Sequence, residues 1–219
     1  IDGGTAAVIA DYDSKDGAAD NKWYGWTLPP APVATDETET LYLNTTDGKL
    51  HIGSVNGTTA ESGSDRLGNG TYSWEDTTNT LSLNGVTWTT TAETAFHLGQ
   101  NDVILLLDGD NVNTFKVSGD HMYNDGKSHR SYGIYCKGKI TINATNWGQL
   151  EAFAGNYTIT GATSGQTKGI YAEGGYIQNG GDVTANGGNI PNSGSSMGID
   201  AGVYEAKANI TVNGGDLNA

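Results

Sequence analysis

A short repeat constrains the fold of this 219-residue chain more than any other feature of its sequence. The tripeptide Gly-Ile-Tyr at residues 133–135 recurs 36 residues later at 169–171, and Gly-Ile-Asp stands a further 29 residues on, at 198–200. Ala-Phe-His-Leu at 95–98 occupies the same place one repeat earlier. Repeats of this length indicate stacked structural units, each of which packs mainly against its neighbours.

Two further apolar stretches follow in each repeat, separated by turns rich in Gly and Asn. The second stretch lies at 105–107, 140–142 and 210–212, and the third follows turns that begin at 108, 146, 179 and 213. Strands this short cannot bury a face alone, but stacking them in parallel about 4.8 Å apart encloses a continuous apolar core. The pattern therefore predicts an all-β protein, a parallel β-helix (β-solenoid) with three short strands per coil. Tyr-Ile-Gln at 176–178 takes the second place of its repeat, but its apolar residue is out of phase and its register stays open.

The repeats differ in length because insertions separate the third strand of one coil from the first strand of the next. They cover residues 116–131, 157–166 and 190–196. We expect them to lie along one edge of the stack, which makes that edge the first place to look for binding. The longest holds a basic and aromatic set: His121, Met122, Tyr123, His129 and Arg130. Such a set suits an anionic sugar or a partner protein, and the alternative is a mobile, solvated loop.

The first third of the chain is less regular. Apolar stretches at 41–43 and 50–52 flank a turn that contains Asp-Gly and predict a hairpin. Stretches at 72–74 and 80–83 flank a second turn and predict either a hairpin or the start of a coil. Residues 28–40 contain three of the four Pro and form a predicted linker. The predicted domains are the end of a preceding β-helix coil with a cap (or a first coil) at 1–27, the linker at 28–40, and the β-helix module at 41–219.

The opening residues, Ile-Asp-Gly-Gly-Thr-Ala, match Val-Asn-Gly-Gly-Asp-Leu at 212–217. The match indicates either a piece of a tandem array or a subunit whose open ends stack on copies of itself, unless one repeat motif stands at both ends by coincidence. The start at Ile1, without Met or a signal peptide, predicts a mature product or a fragment.

Composition excludes several classes of protein. The formal net charge is −14, and the only two Arg are Arg66 and Arg130, so a nucleic-acid partner is not expected, because phosphate binding requires a basic face. The sequence contains no run of 18 apolar residues, so membrane insertion is not expected either. The single Cys136 cannot form an internal disulfide, and its alignment with Ala172 and Ala201 predicts a buried core thiol.

The series Gly-Ile-Tyr, Ile-Thr-Ile and Asn-Gly-Gly-Asp-Val-Thr-Ala resembles the repeats of surface proteins of clostridia and other gut Firmicutes, which are labelled carbohydrate-binding domain-containing proteins. Trp-Glu-Asp-Thr-Thr-Asn-Thr-Leu-Ser-Leu-Asn at 74–84 is similar to the opening motif of those modules. The resemblance covers residues 70–219 well and 1–69 poorly. It implies a right-handed parallel β-helix, secreted and displayed on the cell wall of a Gram-positive bacterium. Some relatives bind cellulose or pectin-like acidic polysaccharides and carry calcium; no catalytic residue is carried over.

The candidate ligand-binding residues are aromatic or basic: His97, Tyr123, Arg130, Tyr135, Tyr171 and Trp147. Strand alternation places Tyr135, Tyr171 and His97 in a column on the outer face of the first strands. Aromatic faces suit the C–H faces of sugar rings, so the column is a predicted binding site; the alternative is a ladder that only stabilises the sheet. Trp147, in a lengthened turn, is either an exposed sugar platform or a residue folded over the coil edge.

Acidic residues near the N-terminus give the one specific metal hypothesis. Residues 11–20 resemble a calcium loop with the candidate ligands Asp11, Asp13, Asp16 and Asp20, because calcium takes carboxylate oxygens. The segment departs from the EF-hand pattern, with one extra residue before Asp-Gly and no closing Glu. Asp108, Asp110 and Asn113 form a weaker cluster at a coil corner, where such residues often only hydrogen-bond the turn.

The sequence favours a protein without enzyme activity. Glycosidases need paired carboxylates, and the outer column offers only His97 near Tyr135 as an acid–base pair. The predicted function is adhesion or carbohydrate binding on an extracellular bacterial surface, with a polysaccharide or host glycan as partner. The rival prediction is a structural stalk or a filament subunit that associates with itself through the β-helix ends.

Overall fold

The computed structural model describes residues 37–159, 164–190, 194–203 and 206–219, all of which belong to one compact unit. The predicted calcium ligands Asp11, Asp13, Asp16 and Asp20, the predicted domain at 1–27 and most of the linker at 28–40 lie outside the described residues. The described part is all-β, and its one helix is a single 3-10 turn, Asp65–Leu67. It contains no helix with the length and hydrophobicity that crossing a bilayer requires.

Two antiparallel hairpins open the described part; the first is confirmed as predicted, and the second confirms the hairpin alternative. Strands β1 (Leu41–Asn44) and β2 (Lys49–Ile52) are joined by a turn in which Gly48 has a φ of 68°, a left-handed conformation that favours Gly. β3 (Thr58–Thr59) pairs with β2. β4 (Thr71–Glu75) and β5 (Thr80–Asn84) form the second hairpin.

The remaining strands are short and follow one another in the order of the repeats. They are β6 (Thr87–Thr90), β7 (Thr94–His97), β8 (Val103–Leu107), β9 (Val112–Val117), β10 (Asp120–Tyr123), β11 (His129–Cys136), β12 (Ile140–Ala144), β13 (Gln149–Phe153), β14 (Asn156–Ile159), β15 (Gly165–Ala172), β16 (Tyr176–Gln178), β17 (Asp182–Asn186), β18 (Gly194–Val203), β19 (Ala206–Lys207), β20 (Ile210–Val212) and β21 (Leu217–Asn218).

From β7 onward, each repeat adds one strand to each of three parallel sheets. The first sheet contains β7, β11, β15 and β18, the second contains β8, β12, β16 and β20, and the third contains β9, β13, β17 and β21. β1, β5 and β6 extend the three sheets and run parallel to β7, β8 and β9. Three short parallel strands per repeat are therefore confirmed.

The register of the sheets matches the alignment of the repeats in the sequence. Ile134 pairs with Phe96 on one side and with Ile170 on the other, and Ile170 pairs with Ile199. Phe96, Ile134 and Ile170 are buried, and Phe96 stacks on Phe115 with ring centroids 4.4 Å apart. Burying a side chain of this size contributes about 1.5–3 kcal/mol, so rows of this kind hold the short strands together.

The register that the sequence left open at 176–178 depends on a buried amide. β16 pairs with β12 so that Tyr176 and Gln178 face the core. The Gln178 amide donates to the carbonyl oxygens of Gly181 at 2.8 Å and Asp216 at 3.0 Å, and its oxygen accepts from the Tyr176 hydroxyl at 3.1 Å. Its polar atoms are therefore satisfied without water. Cys136 is fully buried, as predicted.

A glycine lies within each long strand of the first sheet where that strand passes the third sheet. A methyl group added to Gly133 would lie 2.6 Å from the backbone nitrogen of Phe153, so only Gly fits this close approach. Gly169 occupies the same position in the next repeat. The alternation of buried and exposed side chains shifts by one residue at this point, since Ser131 and Ile134 are both buried.

The described residues of the insertions lie along one edge, as predicted, but they are more regular than loops. β10 and β14, from two successive insertions, pair in parallel as a fourth sheet, with Asp120 opposite Asn156. The prediction of a loop over 116–131 is wrong for part of that range. Its first residues belong to β9, its last residues belong to β11, and β10 lies between them. We call residues 118–128, 154–159 and 187–190 the insertion edge.

Candidate functional site

Four aromatic rings form a column on the first sheet. Tyr42, His97, Tyr135 and Tyr171 occupy paired positions in β1, β7, β11 and β15. Their successive ring centroids lie 5.1, 4.8 and 5.5 Å apart. The repeat pattern predicts the positions of His97, Tyr135 and Tyr171 in this column. Tyr42 lies upstream of the repeats, and only its place between two core leucines indicates that it faces outward. We call these four residues the aromatic column.

In two of the three contacts of the aromatic column the rings cover one another's faces, whereas His97 and Tyr135 meet edge-to-face with planes 82° apart. The planes of Tyr42 and His97 are 28° apart and those of Tyr135 and Tyr171 are 22° apart, so both pairs are stacked. Tyr132 adds a stacked ring 5.4 Å from Tyr135, and only 9% of Tyr171 is exposed. A sugar ring needs an open aromatic face. The geometry therefore favours the alternative that the sequence left open, a ladder that stabilises the sheet.

A buried lysine lies against the end of the aromatic column. Lys168 is only 4% exposed, and its Nζ lies 3.5 Å from the ring centroid of Tyr171 and 2.7 Å from Oδ2 of Asp200. A buried ammonium group is costly unless it is paired, and here a carboxylate and an aromatic face both pair with it. The repeat pattern does not predict a buried Lys168, because the residues aligned with it in the adjacent repeats, Tyr132 and Met197, are of different types.

Burial changes the acid–base properties of the column. It raises the pKa of Tyr132 to about 12, and it also raises the pKa of Tyr135, whose hydroxyl donates to Glu173 at 2.8 Å. Burial lowers the pKa of His97, whose Nδ1 accepts a hydrogen bond from the N–H of Gly99 at 3.0 Å. His97 Nδ1 and the Tyr135 hydroxyl are therefore bonded to other groups rather than to each other.

Tyr123 belongs to a second aromatic cluster, at the insertion edge. Its ring stacks on His129 with centroids 3.4 Å apart and lies edge-to-face with Tyr157 at 5.3 Å. His129 is held between two carboxylates, with Nε2 2.9 Å from Asp125 Oδ1 and Nδ1 3.2 Å from Glu93 Oε1. Burial opposes protonation of His129, but the hydrogen bonds to these two carboxylates and their negative charges together raise the pKa of His129.

Two of the predicted ligand-binding residues are open to solvent. Arg130 has an exposed side chain, and its carbonyl oxygen accepts from the hydroxyl of buried Tyr157. Trp147 is 75% exposed at the corner between the second and third sheets, and its backbone N–H donates to Asp110 Oδ1 at 3.4 Å. The exposed alternative for Trp147 is therefore favoured. The predicted residues separate into three places: the first sheet, the insertion edge and this corner.

A groove of about 910 Å³ lies at the insertion edge, and none of the predicted ligand-binding residues, all of which the structure describes, is among its lining residues. One wall is a row of three paired residues of the third sheet: Lys116, Phe153 and Asn186. The other wall is a hydrogen-bonded row from successive insertions: Asp120, Asn156 and Asn189. We call this the edge groove. The groove lies along the edge that the sequence predicts for the insertions, but the repeat pattern does not indicate the residues that line it.

The weaker acidic cluster is a set of turn contacts. Asp108 Oδ1 accepts from the Thr145 hydroxyl at 2.7 Å, and Asn113 is buried, with its oxygen bonded to the N–H of Val86 at 3.0 Å. These bonds favour the turn-bonding alternative. Across the described ranges, no group of three or more His, Cys, Asp or Glu side chains is arranged to hold a metal ion.

No family model matches the chain, and neither a curated protein nor a solved structure matches it. The fold and the site define its class by themselves: an all-β repeat protein with three parallel sheets and a polar groove along one edge.

Proposed function

We propose that the chain is a right-handed parallel β-helix module of an extracellular bacterial surface, and that it binds polysaccharide or host glycan without catalysing a reaction. The addition of one strand to each of three sheets per repeat supports the β-helix. The resemblance of the repeats to those of Gram-positive surface proteins supports the right-handed coil and the location.

The observation that carries the proposed function is the edge groove. Its volume of about 910 Å³ falls within the range of about 300–1,000 Å³ that ligand sites occupy. Amide, ammonium and carboxylate groups line it together with Phe153. Sugars present hydroxyl groups that both donate and accept hydrogen bonds, and C–H faces that pack on aromatic rings. The lining of the groove matches both kinds of surface.

The ligand-binding residues predicted from the sequence have other roles in the proposed function. Exposed Trp147 and Arg130, together with Tyr123, are accessory contacts for a long glycan. The aromatic column is a structural ladder whose ring faces are mostly occupied by one another. Among the described residues that line the groove, Asp120 is the one carboxylate, whereas glycosidases use two, which supports binding without hydrolysis.

Affinity electrophoresis tests the proposed function directly. The purified protein is run through native gels that contain hydroxyethylcellulose, mixed-linkage β-glucan, glucomannan or polygalacturonate, with and without calcium, and the same preparation is applied to a glycan array. We expect at least one polymer to retard the protein and to be recovered undegraded. Equal mobility in every gel together with an empty array would contradict glycan binding.

A second candidate, a stalk or filament subunit, has one observation in its favour. Apolar side chains of the last repeat are exposed, Ile210 by 48% and Val212 by 45%. Asn213 donates to Asn179 Oδ1 at 2.8 Å, in an amide ladder that a further repeat could extend. Stacked copies would bury this surface. Polymers in electron micrographs would support this candidate, and sedimentation as a monomer at the highest soluble concentration would contradict it.

A further inference from the structure

We propose that the edge groove takes a neutral, linear polysaccharide chain that lies along the stacking direction of the repeats, with Phe153 as the platform for one sugar ring. This inference rests on the proposed function. It adds the class of sugar, the direction of the chain and the residues that distinguish this site from the aromatic column.

The direction follows from the register of the two walls. Lys116, Phe153 and Asn186 stand side by side on the consecutive strands β9, β13 and β17. Asp120 and Asn156 stand side by side on β10 and β14. Neighbouring strands lie about 4.8 Å apart, so each wall offers one group per step over about 10 Å. A linear chain of rings can follow such a row, whereas a bulky branch would meet one of the walls.

Phe153 differs from the rings of the aromatic column in its neighbours. Lys116 and Asn186 flank it in the row, so no aromatic side chain stands beside it on either strand. No ring contact joins it to another aromatic residue in the described part of the chain. Because its side chain is half-buried, part of the ring surface remains available to the C–H face of a sugar.

Amide groups supply the hydrogen bonds of the groove. Asn186 and Asn189 are exposed and line it, and an amide side chain both donates and accepts, as a sugar hydroxyl does. Asn156 donates to Asp120 Oδ1 at 2.9 Å and accepts from the Asn189 N–H at 2.9 Å. These two bonds fix the wall before a ligand arrives, so little ordering remains to oppose binding.

Charge in and around the groove disfavours acidic sugars. The described part of the lining contains one cation, Lys116, and one carboxylate, Asp120. The chain as a whole carries a formal net charge of −14. A polyanion would therefore be repelled at long range and would find a single ammonium group at the site. We expect neutral polymers to bind and acidic ones not to bind.

The test compares outward-facing variants of the third sheet in the same gels. Phe153→Ala is expected to weaken retardation by a neutral polymer about tenfold, because an aromatic contact and its buried surface are lost. Asn186→Ala is a second groove variant with a smaller expected loss. Thr184→Ala is the matched control, since Thr184 is half-buried on the same strand as Asn186 and does not line the groove. Melting curves establish that each variant is folded.

Each outcome decides between the two proposals. Retardation by hydroxyethylcellulose, β-glucan or glucomannan that falls in both groove variants and persists in Thr184→Ala supports the inference. Full retardation of folded Phe153→Ala and Asn186→Ala, with loss in Trp147→Ala, overturns the groove but leaves glycan binding intact. Retardation by polygalacturonate alone overturns the neutral class in the same way. No retardation of the wild-type protein by any polymer contradicts the proposed function itself.

Discussion

Replacing Gly169 by Ala is predicted to destabilise the protein by about 3 kcal/mol, because the added methyl group meets backbone atoms of two sheets. The new carbon would lie 2.7 Å from the carbonyl oxygen of Gly198 and 2.8 Å from that of Ala152. Overpacking costs about 1–3 kcal/mol where side chains can move aside. Backbone atoms in paired strands cannot move without lengthening ladder hydrogen bonds, so the upper end of that range is expected.

Urea unfolding, followed by circular dichroism, measures this change. The control is Gly180→Ala. The nearest atom to the added methyl group there is the backbone nitrogen of Ala144, at 3.8 Å, which is an ordinary van der Waals distance. It is expected to be neutral, or stabilising by about 0.4–1 kcal/mol through the unfolded chain. For a chain of this size, 3 kcal/mol corresponds to a fall in Tm of roughly 6–12 °C. Equal unfolding midpoints for the two variants would refute the close approach of the first and third sheets.

Three further predictions concern other parts of the molecule. Gln178→Leu is expected to cost about 2 kcal/mol in urea unfolding, despite the gain in hydrophobicity, because the carbonyl oxygen of Gly181 loses the Gln178 donor and the buried Tyr176 hydroxyl loses the Gln178 acceptor; an unchanged midpoint would contradict this. The raised pKa of His129 means that its protonated form adds stability below the unfolded pKa of 6.5, and that this stability is lost as the pH rises through the folded value. The Tm of the wild-type protein should therefore fall as the pH rises through the folded pKa of His129, and this fall should be smaller in His129→Gln. An NMR titration of His129 with a midpoint below 6.5 would exclude this contribution to stability. If residues 11–20 bind a structural calcium ion, EDTA should lower the Tm of the protein. An identical Tm with and without EDTA would rule out such an ion.

The repeated part of the fold is predictable because the same short motifs recur at corresponding positions of successive repeats, although the repeats differ in length. Phe96, Ile134 and Ile170 form one buried row, which the positions of the repeats alone identify. The register at 176–178 is not predictable in this way. Gln178 is buried, and a hydrophobic pattern cannot distinguish an amide satisfied by two carbonyl groups from an amide in water.

The candidate site is predictable only as far as its edge. Insertion lengths locate the insertion edge, but β10 and β14 become strands by pairing with each other, which no local pattern reveals. The register of the aromatic column is predictable from the repeats, but the tilt of its rings is not. That tilt, which differs between the edge-to-face and the stacked pairs, decides whether a ring face is open to a ligand. Phe153 carries no repeat signal, since Lys116 and Asn186 occupy its position in the adjacent repeats.

The contrast between the column and the groove follows from the geometry of stacking. Where successive repeats place similar rings in one row, those rings lie about one strand spacing apart and contact each other, so the row stabilises the sheet and few faces remain for a ligand. Tyr135 and Tyr171 are in this situation. A row can offer an open ring only where the repeats differ, as they do on either side of Phe153. In a protein of this class, the places where the repeat breaks are therefore better candidates for binding than the places where it is most regular.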